Sequence, residues 1–100
     1  MRVATEEEWP ALWQLMGAYL HQDFDAFGTI DDNIDLFVLE SPDLAPALPA
    51  EVQRALDQFS TEPELEAFVD DLGCQVLPPG DLTYREWLTQ IADRVRAAAA

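Results

Sequence analysis

The sequence predicts an all-α protein, a compact single-domain bundle of about five helices. Three observations carry that prediction. Apolar residues recur at the i, i+3, i+4, i+7 spacing of a buried helical stripe nearly throughout the chain. Helix start and stop residues (Thr, Pro, Gly) punctuate those stripes at the right places. The chain of 100 residues is 49% hydrophobic, enough for one core and too apolar for a disordered segment despite its charge.

The first helix is expected over residues 10–21, with Leu12, Leu15, Met16, Tyr19 and Leu20 on one face. A start at Glu6 would drive the Pro10 ring into a carbonyl one turn back. Helix 1 therefore opens at Trp9-Pro10, and Thr5–Glu8 form a lead-in turn. A second helix follows over 30–40, capped by Thr29 or Asp31, with Ile34, Phe37 and Val38 inward; Ser41-Pro42 ends it. Pro46 and Pro49 limit the next stretch to a loop or single turn. The third helix runs over 49–58 from Pro49 at its first position, with Val52, Leu56 and Phe59 inward. Ser60-Thr61 caps a fourth over 63–72, whose stripe is Leu65, Phe68, Val69 and Leu72; Gly73 stops it. Cys74–Gly80 is extended, and too short and proline-rich to seed a sheet. Thr83 and Glu86 form a capping box for the last helix, 84–96, with Trp87, Leu88, Ile91, Ala92 and Val95 inward. The expected core is Leu12, Leu15, Met16, Tyr19, Phe37, Leu56, Phe68, Leu72, Trp87, Leu88 and Ile91. The main body is residues 9–96, and the alanine tail 97–100 should fray.

Charge narrows the function. Asp and Glu number 20 against 5 arginines and no lysine, a formal net charge of −15. Phosphates repel such a chain, so nucleic acid is excluded as a partner, and basic partners are favoured. No apolar run approaches the ~18 residues of a membrane span, and the N-terminus lacks a signal-peptide core, so a cytoplasmic protein is expected. Cys74 is the lone cysteine and His21 the lone histidine, which excludes disulfide frameworks and multi-histidine or cysteine-rich metal sites.

Enzyme signatures are missing: there is no phosphate-binding glycine loop and no nucleophile elbow. A Cys74–His21 thiol–imidazole pair is outweighed by a packed thiol, because Cys74 follows the stop at Gly73 among apolar neighbours. Asp23, Asp25, Gly28 and Asp31 match positions 1, 3, 6 and 9 of an EF-hand loop. Phe27 and Ile34 then stand where oxygen ligands are needed. No catalytic, cofactor or metal residues are therefore assigned, and the acidic stretch reads as a solvated face or partner site. The candidate contact residues are Asp23, Asp25, Asp31, Asp32 and Asp35.

Tyr19-Leu20-His21-Gln22-Asp23-Phe24 resembles the Tyr-Phe-His-Gln-Asp-Trp element of immunity proteins from contact-dependent growth inhibition systems. Trp9-Pro10 opens the helix ten residues earlier, Gly73-Cys74 precedes a Pro-Pro-Gly turn, and Thr83, Tyr84, Trp87 and Leu88 open the last helix. The resemblance spans residues 9–95, with Leu20 and Phe24 standing where the family has other aromatics. It implies a bacterial cytoplasmic protein, monomeric until it binds and neutralises the C-terminal toxin domain of a contact-dependent growth inhibition effector. A basic toxin, such as a nuclease, suits the charge. The motif residues Tyr19, His21, Gln22, Asp23, Phe24, Gly73, Cys74 and Trp87 serve either the shared fold or recognition. The competing reading is a small acidic adaptor or regulatory subunit with no toxin partner.

Overall fold

In the computed structural model, which describes residues 5–21 and 24–99, the regular structure consists of five α-helices with short 3₁₀ and π turns. Among the described residues there is no strand. Thr5 accepts from the Trp9 amide at 3.0 Å and, through its hydroxyl, from the Glu8 amide at 3.3 Å, which forms the anticipated lead-in turn. Helix α1 (Pro10–Gln14) then begins.

Its continuation departs from expectation. Leu15–Tyr19 widen into a π turn, closed by the Leu20 amide reaching back to the Leu15 carbonyl at 3.1 Å. The helix ends there, and His21 lies beyond it. The cause is packing against the end of the fourth helix. A Cβ built on Gly73 would stand 3.5 Å from the Gly17 Cα, so the two glycines let the backbones meet. The freed Leu20 carbonyl accepts from the Gln75 amide at 2.8 Å. The wider turn brings Leu20 fully inside and leaves Tyr19, expected in the core, half-buried.

Helix α2 (Ile30–Glu40) is capped by Thr29, whose hydroxyl accepts from the Asp32 amide at 3.1 Å while Asp32 accepts from the Thr29 amide at 3.0 Å. Gly28, at φ 122°, is required before it, because a Cβ there would stand 2.4 Å from the Asp32 carboxylate. Ala45–Ala47 form the single 3₁₀ turn that the prolines permit. Helix α3 (Leu48–Gln58) starts one residue before Pro49, which occupies the second rather than the first position; either place tolerates a missing N–H.

Helix α4 (Glu62–Asp71) has its own Thr61–Glu64 capping box. At its far end Gly73, at φ 97°, donates to the Asp70 carbonyl at 3.0 Å and Cys74 donates to the Val69 carbonyl at 3.3 Å, the pair of bonds of a Schellman stop. Cys74–Pro79 then run as an irregular extended strap. Helix α5 (Tyr84–Ala99) starts at the Thr83–Glu86 box, with bonds of 3.0 and 3.1 Å. Its helical geometry continues through the alanines to Ala99: alanine is the best helix former, and Ala99 lies beside Pro46 and Pro49 at the rim of a shallow cleft.

Helix α5 packs against α3, α2 and α4, within a body 30 × 26 × 23 Å across. The core holds the anticipated Leu12, Leu15, Met16, Phe37, Phe68, Leu72, Trp87, Leu88 and Ile91. Leu56, expected inside, is half-buried at its margin. Trp9, read only as a helix opener, is fully interior. Its ring meets Phe68 edge-on at 4.7 Å, and the Arg54 guanidinium covers it at 4.1 Å from the ring centre.

Candidate functional site

The distribution of charge over this fold decides which surfaces can meet a basic partner. Much of the carboxylate population is used internally. Helix α1 begins with no cap of its own, and Glu51 of α3 supplies it from across the core. Its two oxygens accept from the Ala11 amide at 3.0 Å and the Leu12 amide at 2.9 Å. Burial raises the Glu51 pKa; the two amides and the Arg54 charge oppose that shift. Glu62 of α4 does the same for α5, accepting from the Tyr84 and Arg85 amides at 2.7 and 3.2 Å. Both are helix N-termini, where a carboxylate meets unpaired amides and the positive end of the dipole.

Most of the candidate contact residues lie on one face at the start of α2. Asp31, Asp32 and Asp35 are exposed there, and Asp25 is exposed on the preceding 3₁₀ turn Phe24–Phe27. Asp23 lies outside the described residues. Arg94 of α5 crosses to this face. Its guanidinium grips Asp35 through two bonds of 2.9 and 2.8 Å and approaches Asp31 at 3.5 Å. The Asp35 bonds chiefly raise the Arg94 pKa, burial opposes them, and the charges of Asp31 and Asp32 add to the rise. Asp32 is the capping-box partner of Thr29. Asp31, Asp32 and Asp35 thus stand together at the start of α2, and the fold adds a cation beside them. Beside them, a cleft of about 390 Å³ runs between α2 and α5 over Ile30, Ile34, Trp87 and Ile91.

The motif residues are less superficial. The Tyr19 hydroxyl donates to Glu40 at 2.7 Å, and its ring stands edge-on to Phe37 at 5.8 Å, which ties the end of the first helix to α2. Burial and the Glu40 contact push the phenol pKa up. His21 is half-buried; Gln22, Asp23 and the Phe24 side chain lie outside the described residues. Gly73 ends α4 against Gly17, Cys74 is buried behind it, and Trp87 is in the core. Tyr19–Leu20 and Gly73–Cys74, more than fifty positions apart in the chain, therefore meet at one junction.

A second cleft, of about 480 Å³, lies between α4 and the strap. Glu66 and Asp70 line it from α4, Val76 and Leu77 from the strap, and Tyr84 from α5. Burial chiefly raises the Tyr84 pKa, and the Glu66 and Asp70 charges push it further. Cys74 is also pushed up, to about 11, first by burial and also by Asp70; its thiol contacts the Val76 carbonyl at 3.2 Å. A thiol held protonated at neutral pH is no nucleophile. Among the described residues no group of His, Cys, Asp and Glu is arranged to hold a metal ion, and no helix is long and apolar enough to cross a membrane.

The molecule is thus a small, acidic, all-helical protein whose carboxylates cap helix starts, pair with its arginines or stand exposed on its surface. Over residues 8–95 the chain matches the CdiI immunity protein family, and it belongs to that family. Neither a curated protein nor a solved structure matches it. An immunity protein neutralises a toxin by binding it, so this chain is an inhibitor and not an enzyme.

Proposed function

We propose that this chain acts in the cytoplasm, where it binds and neutralises a cationic toxin domain, the C-terminal domain of a contact-dependent growth inhibition effector. The observation that carries the cationic assignment is the net charge of −15 with no lysine. The described arginines reinforce it, since each is engaged within the chain. Arg54 covers Trp9 and donates to the Glu8 carbonyl, and Arg85 donates to the Leu56 and Phe59 carbonyls at 3.1 Å. Arg94 holds Asp31 and Asp35, and Arg96 holds Asp93 at 2.9 Å. Little positive charge is left to oppose the outward negative field.

An enzyme that grips phosphates, a nuclease above all, does so with Lys and Arg. Carboxylates on a rigid bundle occupy such a cleft in place of the substrate. Opposite charge also steers encounter, and fast capture matters when a toxin turns over many substrates. The test is the association rate of the purified pair against ionic strength. Screening shortens the Debye length from ~10 Å at 0.1 M to ~3 Å at 1 M salt, so association should slow steeply across that range. A rate that does not respond to salt refutes the electrostatic reading, and cells left unprotected from the toxin refute the inhibitory one.

A further inference from the structure

Glu62, Glu66 and Asp70 stand four residues apart on α4 and form one carboxylate ridge. Glu62 is used as the cap of α5, whereas Glu66 and Asp70 face the cleft without a hydrogen bond or ion pair from any described residue. This is locally unfavourable twice over. Like charges four apart on a helix repel. Asp70 also sits in the last turn of α4, at the negative end of the dipole, and that turn holds no basic residue. The same chain builds capping boxes for α2, α4 and α5 with its other acids, so an uncompensated ridge marks a place where local stability yields to another requirement.

The opposite wall adds different chemistry. The strap is extended, and the amides of Val76 and Leu77 bond to no described residue. Leu77 is 74% exposed, one of two large apolar side chains so exposed among the described residues. Tyr84 and Cys74, whose pKa values burial chiefly raises, stand close enough to Asp70 for its charge to add to both shifts.

We infer that this cleft, between α4 and the Cys74–Pro79 strap, is the surface that receives the toxin, and that its occupant is an extended lysine- or arginine-bearing segment of the toxin domain. The inference rests on the function proposed above. Such a segment satisfies every feature of the cleft. Its backbone pairs with the Val76 and Leu77 amides, its aliphatic stems lie on Leu77 and the Tyr84 ring, and its cationic heads meet Glu66 and Asp70. A second copy of this chain brings the same −15 charge and fits poorly. On the Asp31–Asp35 face Arg94 already pairs with Asp35 and approaches Asp31, whereas Glu66 and Asp70 have no arginine paired with them among the described residues.

The experiment measures affinity for the toxin domain co-purified from the chain's own operon. Three variants are compared with the unaltered protein: Glu66→Gln with Asp70→Asn, Asp31→Asn with Asp35→Asn, and Leu77→Ser. The cleft pair should weaken binding by about tenfold or more, and the α2-face pair by less than about threefold. Leu77→Ser leaves α4 untouched and removes an exposed side chain, so it keeps the fold and should still weaken binding. Wild-type affinity in both cleft variants overturns the inference while leaving the inhibitor reading intact. So does a loss confined to the α2-face pair. Sedimentation showing a dimer that Leu77→Ser dissociates also overturns it, by assigning the cleft to self-association. If the unaltered chain captures no toxin domain, the functional reading falls and this inference with it.

Discussion

Replacing Glu51 by Gln tests whether a carboxylate donated by α3 holds the start of α1. The side chain is 7% exposed, and its two oxygens accept from two amides that have no other cap. Glutamine keeps the volume and one acceptor, so one amide loses its partner. Hydrogen bonds to a charged group contribute ~1.5–3 kcal/mol, and a buried amide left unpaired costs ~1–3 kcal/mol. Part of that loss is offset because the variant no longer buries a charge. Glu51→Gln should therefore cost about 1–3 kcal/mol, and Glu51→Ala, which removes both acceptors and leaves a void, about 3–5 kcal/mol. Urea unfolding followed by tryptophan fluorescence reads both numbers.

The pH dependence separates this account from a generic loss of packing. Burial raises the folded pKa of Glu51 above its ordinary 4.5, so between the ordinary and raised values the folded chain holds more proton than the unfolded one. Stability linked to this group therefore falls as pH rises through that window and is recovered as pH falls. Other carboxylates titrate nearby and are common to both proteins, so the informative quantity is wild type minus Glu51→Gln. That difference should widen as pH falls through the window. A difference that is flat, or that narrows toward acid, would refute burial as the dominant influence on Glu51. A fully stable Glu51→Ala would refute the cap itself.

Trp87→Ala should cost ~3–5 kcal/mol in the same unfolding assay, because the residue is 2% exposed in the first turn of α5; a cost under ~1 kcal/mol would contradict its place in the core. Gly73→Ala forces a side chain into a left-handed position at φ 97° and should cost ~1–2 kcal/mol, a loss that thermal melting would reveal; an unchanged midpoint would contradict the Schellman stop. Arg94→Gln removes an exposed ion pair and should change stability by less than ~1 kcal/mol, although it adds negative charge to the α2 face. Millimolar calcium should leave fluorescence and melting unaltered, since Phe27 and Ile34 occupy ligand positions; a saturable change at micromolar calcium would reinstate the loop as a metal site.

Whatever local chemistry decides, the sequence makes legible. Thr29, Thr61, the Thr83–Glu86 pair and Gly73 each act on groups within a few residues of themselves, and each works as its neighbours imply. What the sequence hides is long-range. Glu51 reaches amides 39 and 40 positions away, Glu62 reaches 22 and 23, and Arg94 reaches Asp35 across 59. A faint signal does exist for Glu51. A helix that opens at Trp9-Pro10 has no side chain able to cap it, so its amides must find an acceptor elsewhere. The π turn has an even weaker trace, a glycine in the middle of a helical stripe; its cause, contact with Gly73, is tertiary. Asp31, Asp32 and Asp35 stand together because they are close in the chain, but the arginine that pairs with two of them comes from its far end.

The two roles of negative charge in this molecule respond oppositely to salt, and that opposition ties fold to function. Carboxylates at helix starts, on Arg94 and on Arg96 are matched to nearby positive potential and stabilise the free protein. Unmatched ones such as Glu66 and Asp70 repel one another and raise the free energy of the compact state. Added salt screens that repulsion, so the unbound chain should become harder to unfold as ionic strength rises. A cationic partner removes the same repulsion by direct pairing, which makes the energy stored in the unmatched ridge available to binding. Salt takes away that advantage as it relieves the free state. The charge distribution is therefore costly to the free chain, and a cationic partner of the kind proposed above would relieve that cost.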